Sequence, residues 1–154
     1  MVTMELFEKF YTGLVKFDSY LGMELKVHQP GKITYSLRIK EHHLTSPDQT
    51  HGGVISAMMD AVLGVTALSW AASKDNLCST VEFKINYIST AKPGELLEGT
   101  ADIDYAGNRM ITATGSICEK TTGRLIAKGM GTFAQYPMSK KKEIIDSRFG
   151  ELKI

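Results

Sequence analysis

Residues 51–72 read HGGVISAMMDAVLGVTALSWAA. After His51-Gly52-Gly53, the run from Val54 to Ala72 holds one charged residue, Asp60, and no proline. It is rich in Ala, Leu and Met, which favours helix over strand. Apolar residues fall on nearly every face, so the spacing predicts a helix wrapped by protein on most sides. The run is also long enough to cross a membrane. Its aspartate, serines, threonine and alanines, with alternating strand text around it, argue against that reading.

An aspartate in such a helix is costly to bury without partners. Asp60 either sits in a satisfied polar contact or at a subunit seam, or is a carboxylate held at reduced hydration for chemistry. Positions three, four or seven residues apart share a helix face. Asp60 shares its stripe with Gly53, Ala57, Gly64, Ala67 and Ala71, all small, while the bulk lies at residues such as Ile55, Val62, Val65 and Leu68. The carboxylate should therefore stand in a shallow trough, suited to close approach of a second backbone or to a ligand. Met58, Met59 and Trp70 are expected to set pocket depth across a seam.

Outward from this helix, residues 3–16 place Leu6, Phe7, Phe10, Tyr11, Leu14 and Val15 at helical spacing, which predicts a short amphipathic helix. A short strand over 21–27 and a Pro30-Gly31 turn follow. Ile33, Tyr35, Leu37 and Ile39 then alternate with polar residues as in a half-buried strand. Residues 41–53 read as a polar loop. Beyond the helix, Val81, Phe83, Ile85 and Tyr87 alternate, Lys92-Pro93-Gly94-Glu95 marks a turn, and 96–105, 109–118 and 125–135 read as strands. Gly107-Asn108 and Thr122-Gly123 supply the hairpin turns. One helix among antiparallel strands predicts an α+β layout, a sheet curled around that helix. A single helix leaves the sheet edges open, which favours pairing with a second subunit. The tail 137–154 carries Lys140-Lys141-Lys142, then Ile144, Ile145, Phe149 and Leu152, and is expected to pack on the body or on a partner. The lysine cluster reads as a solvated face, with a phosphate contact as the second reading.

The 154 residues suit one globular domain, 1–154, with a real core. A net charge of +1 gives no electrostatic footprint for nucleic acid. Cys78 and Cys118 are far apart and read as reduced core residues of a cytoplasmic protein. The first residues lack the basic-then-apolar pattern of a signal peptide. HExxH, CxxC, GxSxG and the long glycine-rich phosphate loops are all missing, so no metal site, nucleophile elbow or nucleotide loop is expected.

What remains is a His-Gly-Gly lead into a helix, with a carboxylate two turns in. The first N–H groups of a helix have no intrahelical partner and sit at the positive end of its dipole. Glycine there lets a carbonyl approach closely. An acyl-transfer site needs such a donor for its developing oxyanion, worth roughly 3–4 kcal/mol in the transition state. A carboxylate facing the same carbonyl would activate water or attack directly. The competing reading of Gly52-Gly53 is a helix junction that needs flexible dihedrals. Gly52 and Asp60 lie about 12 Å apart along one helix at 1.5 Å per residue. If they cooperate, each must come from a different subunit, with the site at the seam of a dimer.

HGGVISAMMDAVLGVTAL, then STVEFKINYISTAKPGE, then GRLIAKGMGTF, resembles the hotdog-fold acyl-CoA thioesterases of the phenylacetic-acid-degradation (PaaI-like) type. The resemblance runs from about Leu21 to Phe133. It implies a central helix inside a curled antiparallel sheet, two subunits sharing one continuous sheet, and dimers that pair into tetramers. It implies Asp60 as general base or nucleophile, the Gly52 N–H of a neighbouring subunit as oxyanion donor, His51 as the residue that positions that loop, and Thr80 as the hydroxyl that orients water or carboxylate. Many relatives carry Asn six residues before the histidine, where it holds the attacking water. This chain has Thr45 there, which is shorter and offers fewer hydrogen bonds than an amide; the expectation is either that Gln49 or Asp48 substitutes or that turnover is slow. Asn108, Arg109 and Lys92 are the candidate contacts to the CoA phosphates. The expected substrate is a medium-chain or aromatic acyl-CoA, with no separate cofactor. The alternatives are a hotdog protein that binds acyl-CoA without hydrolysis, which Thr45 favours, and a hotdog dehydratase or hydratase, ranked last because residues 54–72 hold no histidine.

Overall fold

The computed structural model describes residues 3–151, with side chains to residue 147. The chain opens with helix α1 (Met4–Leu14), capped by Thr3, whose hydroxyl accepts the Leu6 N–H at 3.2 Å. The expected single helix over 3–16 is in fact two. Val15 takes an extended conformation and ends α1, and α2 (Lys16–Leu21) closes at Gly22 in the left-handed region. This break turns Asp18 toward the body of the protein, where it meets the Tyr35 hydroxyl.

Strands β1 (Met23–Gln29) and β2 (Lys32–Arg38) form a hairpin around Pro30-Gly31. Gly31 has φ 76° and donates its N–H to Ser69 Oγ at 3.0 Å. The expected loop 41–53 contains structure of its own: a 3-10 turn (Glu41–His43), then a small hairpin of β3 (Leu44–Ser46) and β4 (Gln49–Thr50). His43 is buried here. Its Nδ1 accepts the Lys40 N–H and its Nε2 donates to the Leu21 carbonyl, while its own carbonyl accepts the His51 N–H. Short local pairings of this kind leave no periodic hydrophobic signal in sequence.

Helix α3 (Gly52–Ala72) follows, then β5 (Asn76–Tyr87), β6 (Leu96–Ala106), β7 (Met110–Glu119) and β8 (Leu125–Pro137). A 3-10 turn (Met138–Lys141) leads into α4 (Lys142–Glu151). The large sheet has order β1-β2-β6-β7-β8-β5, with every pair antiparallel. The strand after the helix thus lies at one edge, paired among the described residues only with β8. Of the tail residues, the Phe149 side chain and Leu152 lie outside the described set.

The sheet curls around α3, which accounts for the apolarity of that helix: it is long and apolar enough for a membrane span, yet most of it is buried in the sheet. Glycines in the sheet let it come close. A Cβ at Gly99 would sit 2.5 Å from Val62 Cγ2, and one at Gly129 would sit 2.7 Å from Met59. Met58 and Met59 are fully buried against the sheet, so they do not line a seam as expected from sequence. Each such side chain contributes about 1.5–3 kcal/mol by leaving water. The small-residue stripe also divides. Ala67 and Ala71 are buried in the core, while Ala57, Asp60 and Gly64 stay on an open cleft.

One irregularity in β5 shapes the site. The register with β8 slips between Thr80 and Glu82, a β-bulge with Val81 as the extra residue. Sequence alternation groups Val81 with Phe83, Ile85 and Tyr87, but Val81 is 57% exposed. The bulge changes which parity faces inward. Cys78 and Thr80 turn toward α3 before it, and Phe83 and Ile85 pack on the core after it. Cys78 and Cys118 are both free and half-buried.

Candidate active site

The cleft beside Asp60 has a volume of about 440 Å³. Its floor is the α3 stripe of Ala57, Asp60, Ala61, Gly64 and Leu68. Cys78, Ser79 and Thr80 form one wall, and Tyr11, Val15, Phe17 and Asp18 form the other. Thr80 Oγ1 donates to Asp60 Oδ1 at 3.4 Å, so the strand hydroxyl and the helix carboxylate are brought together as the sequence led us to expect. Asp60 is open to solvent at its tip in the single chain, while the cleft walls displace part of its hydration. That desolvation holds its carboxyl above the ordinary carboxylate range, and the Thr80 hydrogen bond partly opposes it.

The helix N-terminus is organised around one free amide. His51 caps α3, and its Nδ1 accepts the Gly53 N–H at 2.8 Å. The Val54 N–H turns back to the His51 carbonyl at 3.0 Å. Among the described residues the Gly52 N–H has no partner, and Gly52 is exposed. The Tyr87 hydroxyl donates to the Gly52 carbonyl at 3.2 Å and fixes the orientation of that residue. His51 therefore uses up the second amide and leaves the first pointing outward at the positive end of the helix dipole.

Asp18, Tyr35 and Tyr11 form a polar group that sequence reading missed. Tyr35 is fully buried, and its hydroxyl donates to Asp18 Oδ2 at 2.6 Å. Burial raises the Asp18 carboxyl above its ordinary value, the Tyr35 bond lowers it, and the nearby Asp60 charge raises it further. The Tyr11 and Tyr35 phenols are both pushed up, first by burial, and stay protonated at neutral pH. Burial likewise pushes the Cys78 thiol up to about 12, which removes it as a ready nucleophile. Only chain topology brings Asp18 to Asp60, so no local motif could have revealed it.

The remaining candidates lie apart. Thr45 does not line the Asp60 cleft. It edges a separate open depression with Ser46, Pro47 and Pro93. Asp48 is engaged by the Ser46 hydroxyl at 3.0 Å. Lys92 occupies the turn that precedes β6, where its N–H donates to Glu95 and Arg124 grips both Glu95 oxygens at 2.6 and 2.7 Å. Asn108 and Arg109 sit at the hairpin after β6. The 11 residues of β6 separate the two turns, on the order of 35 Å at about 3.3 Å per residue. A single chain therefore does not assemble these three residues into one phosphate site. Among the described residues, no three of His, Cys, Asp or Glu converge as metal ligands would.

A curled antiparallel sheet around one helix, with a carboxylate two turns into that helix and a free amide at its start, defines a hotdog-fold thioester hydrolase. The chain belongs to the Thioesterase superfamily, whose family model matches residues 49–126. It is 28% identical over 125 residues to human acyl-coenzyme A thioesterase 13, covering 80% of this chain and 88% of that protein. The crystal structure of mouse thioesterase superfamily member 2 is 28% identical, with TM-score 0.73 over 87% of this chain and 98% of that one. The Escherichia coli PaaI protein from the phenylacetic acid degradation operon superposes with TM-score 0.75 at 13% identity, over 88% of this chain and 96% of that one. That last likeness concerns the fold alone.

Proposed function

We propose that the protein hydrolyses the thioester of a medium-chain or aromatic acyl-CoA to the free acid and CoA, at a site shared by two copies of the chain. The observation that carries this is the Asp60–Thr80 pair in its cleft, on the same helix that presents the free Gly52 N–H. The two groups are about 12 Å apart along α3, so one copy supplies the carboxylate and a second supplies the amide. The β5 edge supports this pairing, since it has no strand partner among the described residues and carries exposed Val81, Tyr87 and Ile88.

The thioester carbonyl oxygen accepts the Gly52 N–H, which stabilises the charge that develops there. Asp60 takes a proton from water as it attacks the carbonyl carbon, or attacks that carbon itself. On the water route the C–S bond breaks and the CoA sulfur takes up the proton that Asp60 removed from water, leaving as the thiol beside the free acid; on the direct route the sulfur takes a proton from solvent, and water then hydrolyses the acyl–Asp60 anhydride to the free acid and the restored carboxylate. Thr80 holds the Asp60 carboxylate, and His51 holds the loop that presents Gly52. No cofactor beyond the CoA of the substrate is required. Lys92 lies beside the Gly52 end of the chain, since Ala91 accepts the Thr50 N–H. Arg109 lies at the end where β5 begins, since Gln135 donates to it and pairs with Cys78. Two copies thus offer Lys92 and Asn108-Arg109 from different subunits as contacts for CoA phosphates.

The test is thiol release from an acyl-CoA panel by the wild type and by Asp60→Asn and Asp60→Ala. Loss of at least a hundredfold in kcat supports the reading, and wild-type rates in both variants refute it. The second reading, binding without hydrolysis, is favoured by Thr45 standing where many relatives carry the asparagine that holds the attacking water. Tight acyl-CoA binding with no thiol release would select it.

A further inference from the structure

The Asp60 cleft shares part of its lining with a neighbouring space. That space, a second cavity of about 490 Å³, lies between α1, the C-terminal end of α3, the start of β5 and α4. Its lining includes Phe7, Phe10, Leu14, Leu77, Ile144 and Ile145, and is hydrocarbon except for Tyr11 and Lys141. Tyr11, Val15 and Leu68 line both spaces. Along α3 the lining residues run Ala57, Asp60, Ala61, Gly64, Leu68 and Ala72, one continuous stripe at helical spacing. Opposite it, Thr80, Ser79, Cys78 and Leu77 run back along β5. The two cavities thus adjoin at Tyr11, Val15 and Leu68, the one polar at Asp60 and the other apolar. Helices α1 and α4, which line the apolar one, both lie outside residues 49–126 that match the family.

We propose that α1 and α4 build an acyl-end compartment onto the catalytic cleft, and that the enzyme therefore prefers long unbranched acyl thioesters. This rests on the acyl-CoA hydrolase reading above and moves its acyl group from medium-chain or aromatic to long-chain. Asp60 to Leu68 spans about 12 Å of helix, and Asp60 to Ala72 about 18 Å. With carbon–carbon bonds of about 1.5 Å, an extended chain advances about 1.3 Å per methylene. A chain of about nine carbons reaches the junction at Leu68, and one of about fourteen fills the compartment to Ala72. An apolar cavity of this kind favours hydrocarbon over water.

The experiment measures kcat/KM for thiol release across saturated acyl-CoAs from C4 to C16, together with binding of non-hydrolysable S-alkyl-CoA thioethers of the same lengths. Between C8 and C14, each added methylene is expected to raise kcat/KM and affinity about two- to fourfold. Ala72→Phe, which fills the compartment, and Ile145→Asp, which charges it from the α4 side, should each cut the C14-to-C8 ratio at least tenfold. A profile that is flat or falls beyond C8 in both measurements overturns the compartment, while thiol release at any length leaves the hydrolase reading intact. Affinity that climbs with length and no thiol release at any length supports the compartment and removes the hydrolase reading. An Ile145→Asp protein that changes its oligomeric state and keeps its length profile would give this surface to a second copy and overturn the proposal.

Discussion

Thr80 Oγ1 and Asp60 Oδ1 face each other at 3.4 Å, one on a strand and one on a helix. The hydrogen bond favours the ionised carboxylate, while the cleft walls favour the neutral acid. Desolvation is the larger effect, so the acid limb of kcat/KM should lie above the ordinary carboxylate range. Activity should be present above that limb and fall as pH drops through it. Thr80→Ala removes the opposing hydrogen bond, so it should move the limb to higher pH. A limb that stays in place or moves down would show that Thr80 does not tune Asp60.

Gly52→Pro is a selective probe of the oxyanion donor. Proline suits the first position of a helix and removes only the N–H, which is unpaired here. His51 already has the extended backbone that a following proline requires. The variant should fold with wild-type circular dichroism and lose about a hundredfold to a thousandfold in kcat. Mixed and re-annealed with Asp60→Asn, it should regain activity, because a mixed dimer holds one site with both an intact carboxylate and an intact amide. No recovery, with exchange of subunits verified, would mean that the two groups do not meet across a seam.

Tyr35 donates to a half-buried carboxylate at 2.6 Å. Tyr35→Phe keeps the ring and removes the donor, so it should cost about 1–3 kcal/mol in denaturant unfolding. Asp18→Asn keeps an acceptor for Tyr35 and removes the charge. Combining the two should give a cost smaller than the sum, as expected for residues in direct contact. Additive costs would mean that the contact carries no coupling.

His43 is buried, and desolvation is the first cause that lowers its pKa below the ordinary histidine value. The folded protein therefore binds fewer protons than the unfolded chain in the window from about 6.5 down to the lowered value. Stability from this group is complete above that window and is lost as pH falls through it. The difference in Tm between wild type and His43→Gln should shrink on going from pH 7.5 to pH 5. A difference that does not change with pH would separate His43 from acid sensitivity.

Glu119 shows the opposite sign. Backbone N–H groups of Thr121 and Thr122, with the Thr122 hydroxyl, hold its carboxyl down at about 2. It stabilises the 119–124 turn above the ordinary glutamate range, and that contribution is lost as pH falls from about 4.5 toward 2. Glu119→Gln should lower Tm at pH 7 and lower it less at pH 3. An equal loss at both values would point to packing instead of charge.

Sequence carried the fold well where the signal was periodic or local. The apolar run at 54–72, the alternation at 33–39 and the turn residues at 92–95 and 122–123 each named an element that is present. Thr80 and Asp60 meet as expected. The failures have specific causes. Val15 breaks the first helix through its backbone, and the Val81 bulge reverses inward and outward in the middle of a strand. Asp18, Tyr35 and Tyr87 reach the site only because a helix and strands distant in sequence bring them there. Lys92 and Arg109 lie in turns at opposite ends of one strand, a separation that the turn residues alone do not reveal.

The outer edge of β5 is a row of backbone donors and acceptors flanked by apolar side chains. Left bare, such an edge recruits any extended segment that passes and leads toward insoluble aggregates. Where two copies pair along this edge as proposed, a mutation that weakens the pairing would penalise the cell twice, through lost turnover and through precipitation. Selection on solubility and selection on catalysis would act on the same dozen residues, and the two pressures would be hard to separate by looking at fitness alone.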